Sequence, residues 1–206
     1  MPDILLRIDA SSRREGSHSR SLADAFERSW LAGRPAGQIV RRDLAASPVA
    51  HIAPETIAGF SVAPEQLDDK LRRALKVSDY LIEELLGASE ILVSTPMYNF
   101  TIPSALKAYI DHVVRVNKTF AYDGSSFSGL VPARRAIITS AFGAGGYTGK
   151  IAAADYVTPY LRFLFGFLGV AVVENVTVEA TTGAPEAFAL NIEGALDRAR
   201  ALATAA

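Results

Sequence analysis

Cysteine is absent from this chain of 206 residues, and histidine occurs only three times. Without cysteine, neither a disulfide bond nor a thiolate metal site can form. The histidines, His18, His51 and His112, do not have the spacing of metal ligands. We therefore expect a protein whose chemistry uses no bound metal.

An excess of charge of one sign is also missing, because 21 lysine and arginine residues are balanced by 22 aspartate and glutamate residues. This balance gives no electrostatic reason to expect binding to nucleic acid or to an anionic membrane. The most apolar stretch, residues 160–173, contains Arg162 and is too short to span a bilayer. The first residues lack the pattern of a signal peptide. We expect a cytoplasmic protein.

Half of the residues are hydrophobic and 21% are charged, which is typical of a packed globular protein. A chain of this length can form one domain with a full core, but it is too short for two domains of ordinary size. Neither a repeat nor a linker interrupts it. We predict a single domain over residues 1–206.

Short apolar runs and segments of helical periodicity alternate along the chain. The predicted strands are residues 4–10, 38–44, 90–95, 135–140 and 170–178. The predicted helices run from residue 19 to the glycine at 33 and over 65–86, 103–114, 150–168 and 185–202, the fourth with a possible kink at Pro159. This alternation predicts an α/β fold, a flavodoxin-like three-layer sandwich. Its five-stranded parallel sheet has the order 2-1-3-4-5, with helices on both faces.

In such sheets ligands bind beyond the carboxyl ends of the strands, which selects the loops after the first, third and fourth strands. The first loop, residues 11–21, brings serine hydroxyls, including those of Ser17 and Ser19, to the start of a helix. Helix N-termini favour anions, so this loop suits a phosphate. It matches neither G-x-G-x-x-G nor a Walker A motif. An ordinary serine-capped helix start fits the same residues.

The other two loops combine aromatic residues with small or flexible ones. After the third strand, Pro96, Met97, Tyr98, Asn99 and Phe100 could form a wall against a planar ring, with Asn99 recognising its polar edge. A turn with core aromatics is the alternative. The loop over residues 140–147 is rich in glycine, which permits close approach of the backbone to a ligand but is also typical of a flexible connector. Convergence of all three loops favours a ligand site.

Side chains that would identify a hydrolase are missing, since the sequence contains no G-x-S-x-G motif. Asp111 and His112 are adjacent on a predicted helix and point in different directions. Asp111 can instead pair with Arg115 one turn later, so we interpret it as structural.

The chain resembles the FMN-dependent NADH-azoreductases, within the flavodoxin-like NAD(P)H:quinone reductase group. The segments that carry the resemblance are SHS (17–19), PMYNF (96–100), IP (102–103), LKAYIDHV (106–113) and KTF (118–120). The resemblance extends from end to end of the chain, and residues 96–120 are its most specific part.

The resemblance implies three groups of FMN-binding residues. The phosphate would be held by Ser11, Ser17, His18 and Ser19; the isoalloxazine by Pro96, Met97, Tyr98, Asn99 and Phe100; and the flank of the ring by Ser140, Ala141, Phe142 and Gly143. The family usually has Arg-Gly-Gly after the serine that matches Ser140, so Phe142 could narrow the acceptor pocket.

The resemblance further implies a cytoplasmic homodimer that transfers hydride from NADH or NADPH through FMN to quinones and aromatic azo compounds in a ping-pong reaction. The aromatic segment over residues 160–167 could supply the dimer surface, although a buried core helix fits it equally. No catalytic side chain is expected, because the flavin performs the chemistry. The alternatives are a quinone reductase with incidental azo activity and an FMN-binding electron carrier or regulator without nicotinamide turnover. A phosphodiester hydrolase ranks last.

Overall fold

The computed structural model describes residues 3–205, apart from the side chain of Ala187. Residues 1, 2 and 206 of the predicted domain lie outside the described residues. The strands are β1 (Ile4–Asp9), β2 (Gln38–Asp43), β3 (Glu90–Pro96), β4 (Phe120–Tyr122), β5 (Phe127–Gly129), β6 (Arg135–Ala141) and β7 (Val172–Val178). The helices are α1 (His18–Gly33), α2 (Pro54–Phe60), α3 (Asp69–Gly87), α4 (Ser104–Val113), α5 (Thr158–Phe167) and α6 (Pro185–Thr204).

The main sheet contains five parallel strands in the order β2-β1-β3-β6-β7, which confirms the predicted topology. Its three central strands are almost wholly buried, whereas β2 and β7 at the edges are partly exposed. Strands covered on both faces contain short apolar runs, such as residues 4–6 in β1 and 91–93 in β3, and these runs predicted the central strands.

Helices cover both faces of the sheet, as predicted. Leu5 and Leu6 are adjacent on β1 and point to opposite faces, because side chains alternate along a strand. On the face of Leu6 the core contains residues of α3, α4 and α5. On the face of Leu5 it contains residues of α1 and α6, with Trp30 fully buried. No helix in the described part of the chain is both long and apolar enough to cross a membrane.

The predicted helix over residues 150–168 is wrong in its first half. The chain forms a short 3₁₀ turn at Ala152–Ala154, and α5 begins only at Thr158. Pro159 lies in the first turn of α5 and does not kink it. Proline is well suited to that place, because its fixed φ is helical and its missing N–H would have no partner within the helix.

One helix and two strands that the periodicity did not predict are also present, so five strands and five helices undercount the described chain. Helix α2 lies in the segment that we expected to be a loop, and its first residue is a proline. Strands β4 and β5 form a separate antiparallel hairpin. A Cβ atom added to Gly129 in this hairpin would lie 2.1 Å from the backbone of Leu168, so only glycine allows the hairpin to approach the end of α5 so closely.

Candidate functional site

The carboxyl ends of β1, β3, β6 and β7 surround a cavity of about 210 Å³, which we name the serine-loop cavity. Its walls come from four loops, one after each of these strands. The lining residues are Ser11, Arg13, Gly16, Ser17, His18, Pro96, Met97, Tyr98, Ala141, Gly143, Thr181 and Thr182. The position agrees with the general rule for ligand sites in open parallel sheets.

One end of the cavity lies at the N-terminus of α1. Ser17 immediately precedes this helix, and its hydroxyl makes no capping hydrogen bond. Amide groups of the first helical turn are therefore not satisfied by that side chain, and no acidic residue lies in the turn. Gly16 has a φ of +65°, which lets the loop turn sharply ahead of the helix. Amides, hydroxyls and the helix dipole together suit a phosphate group.

His18 lines the same end of the cavity. Its pKa is lowered first by partial burial and second by the charge of nearby Arg13. The ring packs against Phe188 of α6, with 4.5 Å between the ring centroids. A neutral imidazole can donate one hydrogen bond to an anion without adding a charge of its own.

An arginine behind the cavity joins the loops that follow β1 and β2. Arg20 donates to the carbonyl oxygen of Ser11 over 2.8 Å and to both carboxylate oxygens of Asp43, each over 2.8 Å. The hydrogen bond from Arg20 lowers the pKa of Asp43 to about 2, and the backbone amides of Ala45 and Ala46 contribute to this shift. The two loops are thus tied together by one guanidinium group.

The second wall of the cavity follows β3 and contains a strained turn. The backbones of Tyr98 and Thr101 exchange two hydrogen bonds, of 2.9 and 3.2 Å. Between them, Asn99 and Phe100 have φ values of +49° and +72°. Left-handed backbone is uncommon for residues other than glycine, and such strain is often found at ligand sites. The Tyr98 hydroxyl lies 2.7 Å from the hydroxyl of Ser12, so this wall also contacts the first loop.

A second, larger cavity of about 610 Å³ adjoins the first at Tyr98, which lines both. We name it the α4 cavity, because it lies at the start of that helix. It is lined by His51, Tyr98, Asn99, Thr101, Ile102, Pro103, Ser104, Lys107 and Tyr160. Aromatic and aliphatic walls with a few polar groups are typical of sites for small organic molecules.

The third wall is the glycine-rich loop after β6. Ala141 and Gly143 line the cavity, but Phe142 between them is only 1% exposed and packs edge-on against Tyr147, with 4.9 Å between centroids. Phe142 lines neither the serine-loop cavity nor the α4 cavity, because its side chain packs into the core. Its effect on the acceptor pocket stays a prediction.

Loop residues after β7 brace this third wall. The amides of Thr181 and Thr182 donate to the carbonyl oxygens of Phe142 and Gly143, each over 3.1 Å. The carboxylate of Glu179 accepts hydrogen bonds from the amides of Gly146 and Tyr147, over 2.6 and 3.2 Å.

Several residues that the sequence predicted do not line the serine-loop cavity. Ser19 is fully buried, with its hydroxyl 3.3 Å from those of Ser17 and Ser94. Ser140 is also buried, and its hydroxyl lies 2.8 Å from that of Thr177. Asn99 faces the α4 cavity instead, and Phe100 lines neither cavity and is 56% exposed.

The sequence analysis missed four residues that do line the cavity, namely Arg13, Gly16, Thr181 and Thr182. Arg13 and Gly16 lie inside the first loop and could have been included with its serines. The two threonines precede Gly183 just after the last strand, and this turn pattern was a usable signal. We missed it because we considered the loops after only three strands.

Asp111 pairs with Lys107 and not with Arg115, which corrects the predicted ion pair. Arg115 instead binds Asp79 over 2.6 Å. The Nε2 atom of His112 lies 3.0 Å from the carbonyl oxygen of Ala50. Neither member of the Asp111–His112 sequence pair therefore forms part of a catalytic dyad.

Comparison with known proteins identifies relatives along nearly the whole chain. A family model described as flavodoxin-like fold matches residues 4–203. A protein of Xanthobacter autotrophicus named FMN-dependent NADH:quinone oxidoreductase is 52% identical over 172 residues, which cover 82% of this chain and 83% of that protein. A protein of Nostoc punctiforme with the same name is 41% identical, with coverage of 85% and 86%. The crystal structure of an azoreductase from Bacillus anthracis str. Sterne superposes with a TM-score of 0.89 at 26% identity, covering 98% of each chain.

Proposed function

The chain belongs to the flavodoxin-like fold family, and from this premise we propose that it is an FMN-dependent oxidoreductase that passes hydride from NADH or NADPH to quinones and aromatic azo compounds. The observation that carries the proposal is the serine-loop cavity, where an uncapped helix N-terminus adjoins a wall of aromatic and small residues. The relatives named FMN-dependent NADH:quinone oxidoreductase support the same activity.

The cavity residues fit the two chemically different ends of FMN. Toward α1, the hydroxyls of Ser11 and Ser17, the imidazole of His18 and the guanidinium of Arg13 would hold the phosphate. We add Arg13 to the residues inferred from the sequence, and we do not retain the side chain of Ser19 as a direct ligand.

At the other end, Met97 and Tyr98 would pack against the isoalloxazine from one side, and Ala141 and Gly143 from another. The small residues allow backbone to approach the ring. Pro96 lines the same part of the cavity. Asn99 and Phe100 would act from the neighbouring turn, and Ser140 and Phe142 would support the wall from behind. Thr181 and Thr182, whose hydroxyls donate to the carbonyl oxygens of Phe142 and Gly143, would complete the site.

When bound, FMN supplies the ability to accept and then donate a hydride. The residues of this chain have the tasks of binding, orienting and excluding water, and none needs to act as a general acid or base. No aspartate or glutamate is among the residues that line either cavity, so a reduced, electron-rich ring would meet no carboxylate. The α4 cavity shares Tyr98 with the cofactor site and would receive the nicotinamide and the acceptor in turn, which is the basis of a ping-pong order.

The first experiment is an absorbance spectrum of the purified protein reconstituted with FMN, followed without oxygen as NADH and then a benzoquinone or an azo dye are added. We expect the flavin band to bleach with NADH and to return with the acceptor. A bound flavin that NADH leaves oxidised would favour an electron carrier or regulator. Failure to bind FMN would contradict both functions. Steady-state rates with both acceptors separate a quinone reductase with incidental azo activity from an azoreductase.

We also propose a homodimer, formed through an aromatic surface made by β4, β5 and α5. Phe163 is 71% exposed, Phe127 is 60% exposed and Tyr122 is 50% exposed, and neighbouring rings of this surface lie 4.6–6.3 Å apart. Light scattering of the wild-type protein and of Phe163→Ser tests this surface, with a dimer expected only for the former.

We also propose that the protein works in the cytoplasm, because nicotinamide coenzymes are available in that compartment. Fractionation of cells that produce the protein would test this location.

A further inference from the structure

The loop over residues 11–16 has few attachments to the rest of the protein, although it would hold the phosphate. Within the described chain, no hydrogen bond between backbone groups involves any of these residues. Residues 12–16 are all exposed. Hydrogen bonds between residues 11–16 and the rest of the described chain come from two side chains, Tyr98, whose hydroxyl lies 2.7 Å from that of Ser12, and Arg20, which donates to the Ser11 carbonyl over 2.8 Å. Among the described residues, Arg20 alone makes a hydrogen bond to the backbone of Ser11.

Arg20 is itself held from two directions. Its guanidinium forms a two-pronged pair with Asp43 at the end of β2, and Asp9 at the end of β1 lies 3.7 Å away. The side chain is 11% exposed, so solvent weakens these contacts little. A planar guanidinium can satisfy a carboxylate and a carbonyl in one fixed geometry, whereas an ammonium cannot.

The position of Arg20 on α1 is electrostatically unfavourable without Asp9 and Asp43. Arg20 lies in the first turn of the helix, where the dipole disfavours a cation. Asp9 and Asp43 offset that cost and also neutralise the charge. Arg20 does not line the serine-loop cavity. Its effect on a ligand would therefore arise from the geometry of the loop and not from direct attraction.

We propose that Arg20 is a positioning residue for the FMN phosphate, acting through the carbonyl oxygen of Ser11 and anchored by Asp43. This inference rests on the proposed function. It predicts that Arg20 contributes to the affinity for FMN but not to the affinity for riboflavin, which has the same ring and ribityl chain and lacks the phosphate.

The test compares the dissociation constants of FMN and riboflavin, measured by flavin fluorescence titration of flavin-free protein. Arg20→Lys keeps the charge and loses the planar fork. We expect it to weaken FMN binding about tenfold, the effect of losing one charge-assisted hydrogen bond, and to change riboflavin binding by less than about twofold. Arg42→Lys is the matched control, because Arg42 makes a two-pronged pair with Glu84 of α3 at similar burial. Alternation along β2 turns its side chain to the face opposite that of Asp43. It should change neither constant.

A second variant keeps the test decisive if circular dichroism shows that Arg20→Lys does not fold. Asp43→Asn leaves Arg20 in place and removes half of its anchor, so FMN binding should weaken about threefold with riboflavin binding unchanged. Equal losses for both flavins, or no loss for either, would overturn the inference. If the wild-type protein binds riboflavin as tightly as FMN, the phosphate assignment in the proposed function is wrong, and the inference fails with it.

Discussion

At the scale of single residues, the direction of a side chain separates structural from functional roles. Ala141 and Gly143 line the serine-loop cavity, whereas Phe142 between them is buried against Tyr147. A large buried ring makes many dispersion contacts, and its removal leaves a cavity. Phe142 should therefore contribute to the stability of the fold more than to the choice of acceptor.

Phe142→Leu tests this assignment. We expect the free energy of unfolding in urea to fall by about 1–3 kcal/mol, because leucine leaves part of the ring volume empty. The Michaelis constants for different quinones should keep their order. A reordering of acceptors with unchanged stability would show that Phe142 does reach the substrate.

At the scale of helices and strands, a capping residue explains where helix α3 begins, whereas apolar periodicity does not predict that start. Helix α3 begins at Asp69 because the side chain of Asp68 accepts a hydrogen bond from the amide of Leu71 over 2.8 Å. We predicted that this helix begins at residue 65, where the chain instead forms a 3₁₀ turn at Pro64–Gln66. An aspartate two residues beyond such a turn is a recognisable cap, but apolar periodicity alone does not reveal it.

Asp68→Ala should lower the free energy of unfolding by about 1 kcal/mol, because the amide of Leu71 loses its acceptor. Asp68→Asn supplies another capping oxygen and serves as the control, with little change expected. Equal stability of the alanine variant and the wild type, measured by urea denaturation, would contradict the capping role.

At the scale of the whole molecule, ionic contacts at the carboxyl end of the sheet tie the loops after β1 and β2 together. Asp43 has a pKa of about 2, compared with an ordinary value of 3.8, because of its hydrogen bond from Arg20. A carboxylate with a lower pKa in the folded protein binds protons less well than in the unfolded chain. The stabilisation is therefore fully present above the unfolded value and disappears as the pH falls through about 2.

We expect the free energy of unfolding to decrease between pH 4 and pH 2, with Asp43 contributing about 1–2 kcal/mol to the decrease. Urea denaturation across this range, for the wild type and for Asp43→Asn, measures that share. The variant should be less stable at pH 7 and should lose less stability on acidification. Parallel curves for the two proteins would contradict the contribution of Asp43.

The sequence by itself determined the order of the main sheet and the edge at which the serine-loop cavity lies. Buried central strands contain short apolar runs, such as residues 91–93 of β3, and right-handed crossovers restrict how successive parallel strands can be arranged. The loops that contain Ser17 and Tyr98 then necessarily meet at the carboxyl edge. The motif PMYNF, read by resemblance, identified the cofactor class that the relatives also name.

Only the tertiary structure decided which side chains enter the cavity and what holds them there. Thr182 and Ser11 line the same cavity although 171 positions separate them, and Arg20 meets Asp43 across 23 positions. Periodicity reports the burial of a residue relative to its own helix or strand. It does not report the distance between groups on different loops, because that distance depends on how the strands and helices pack.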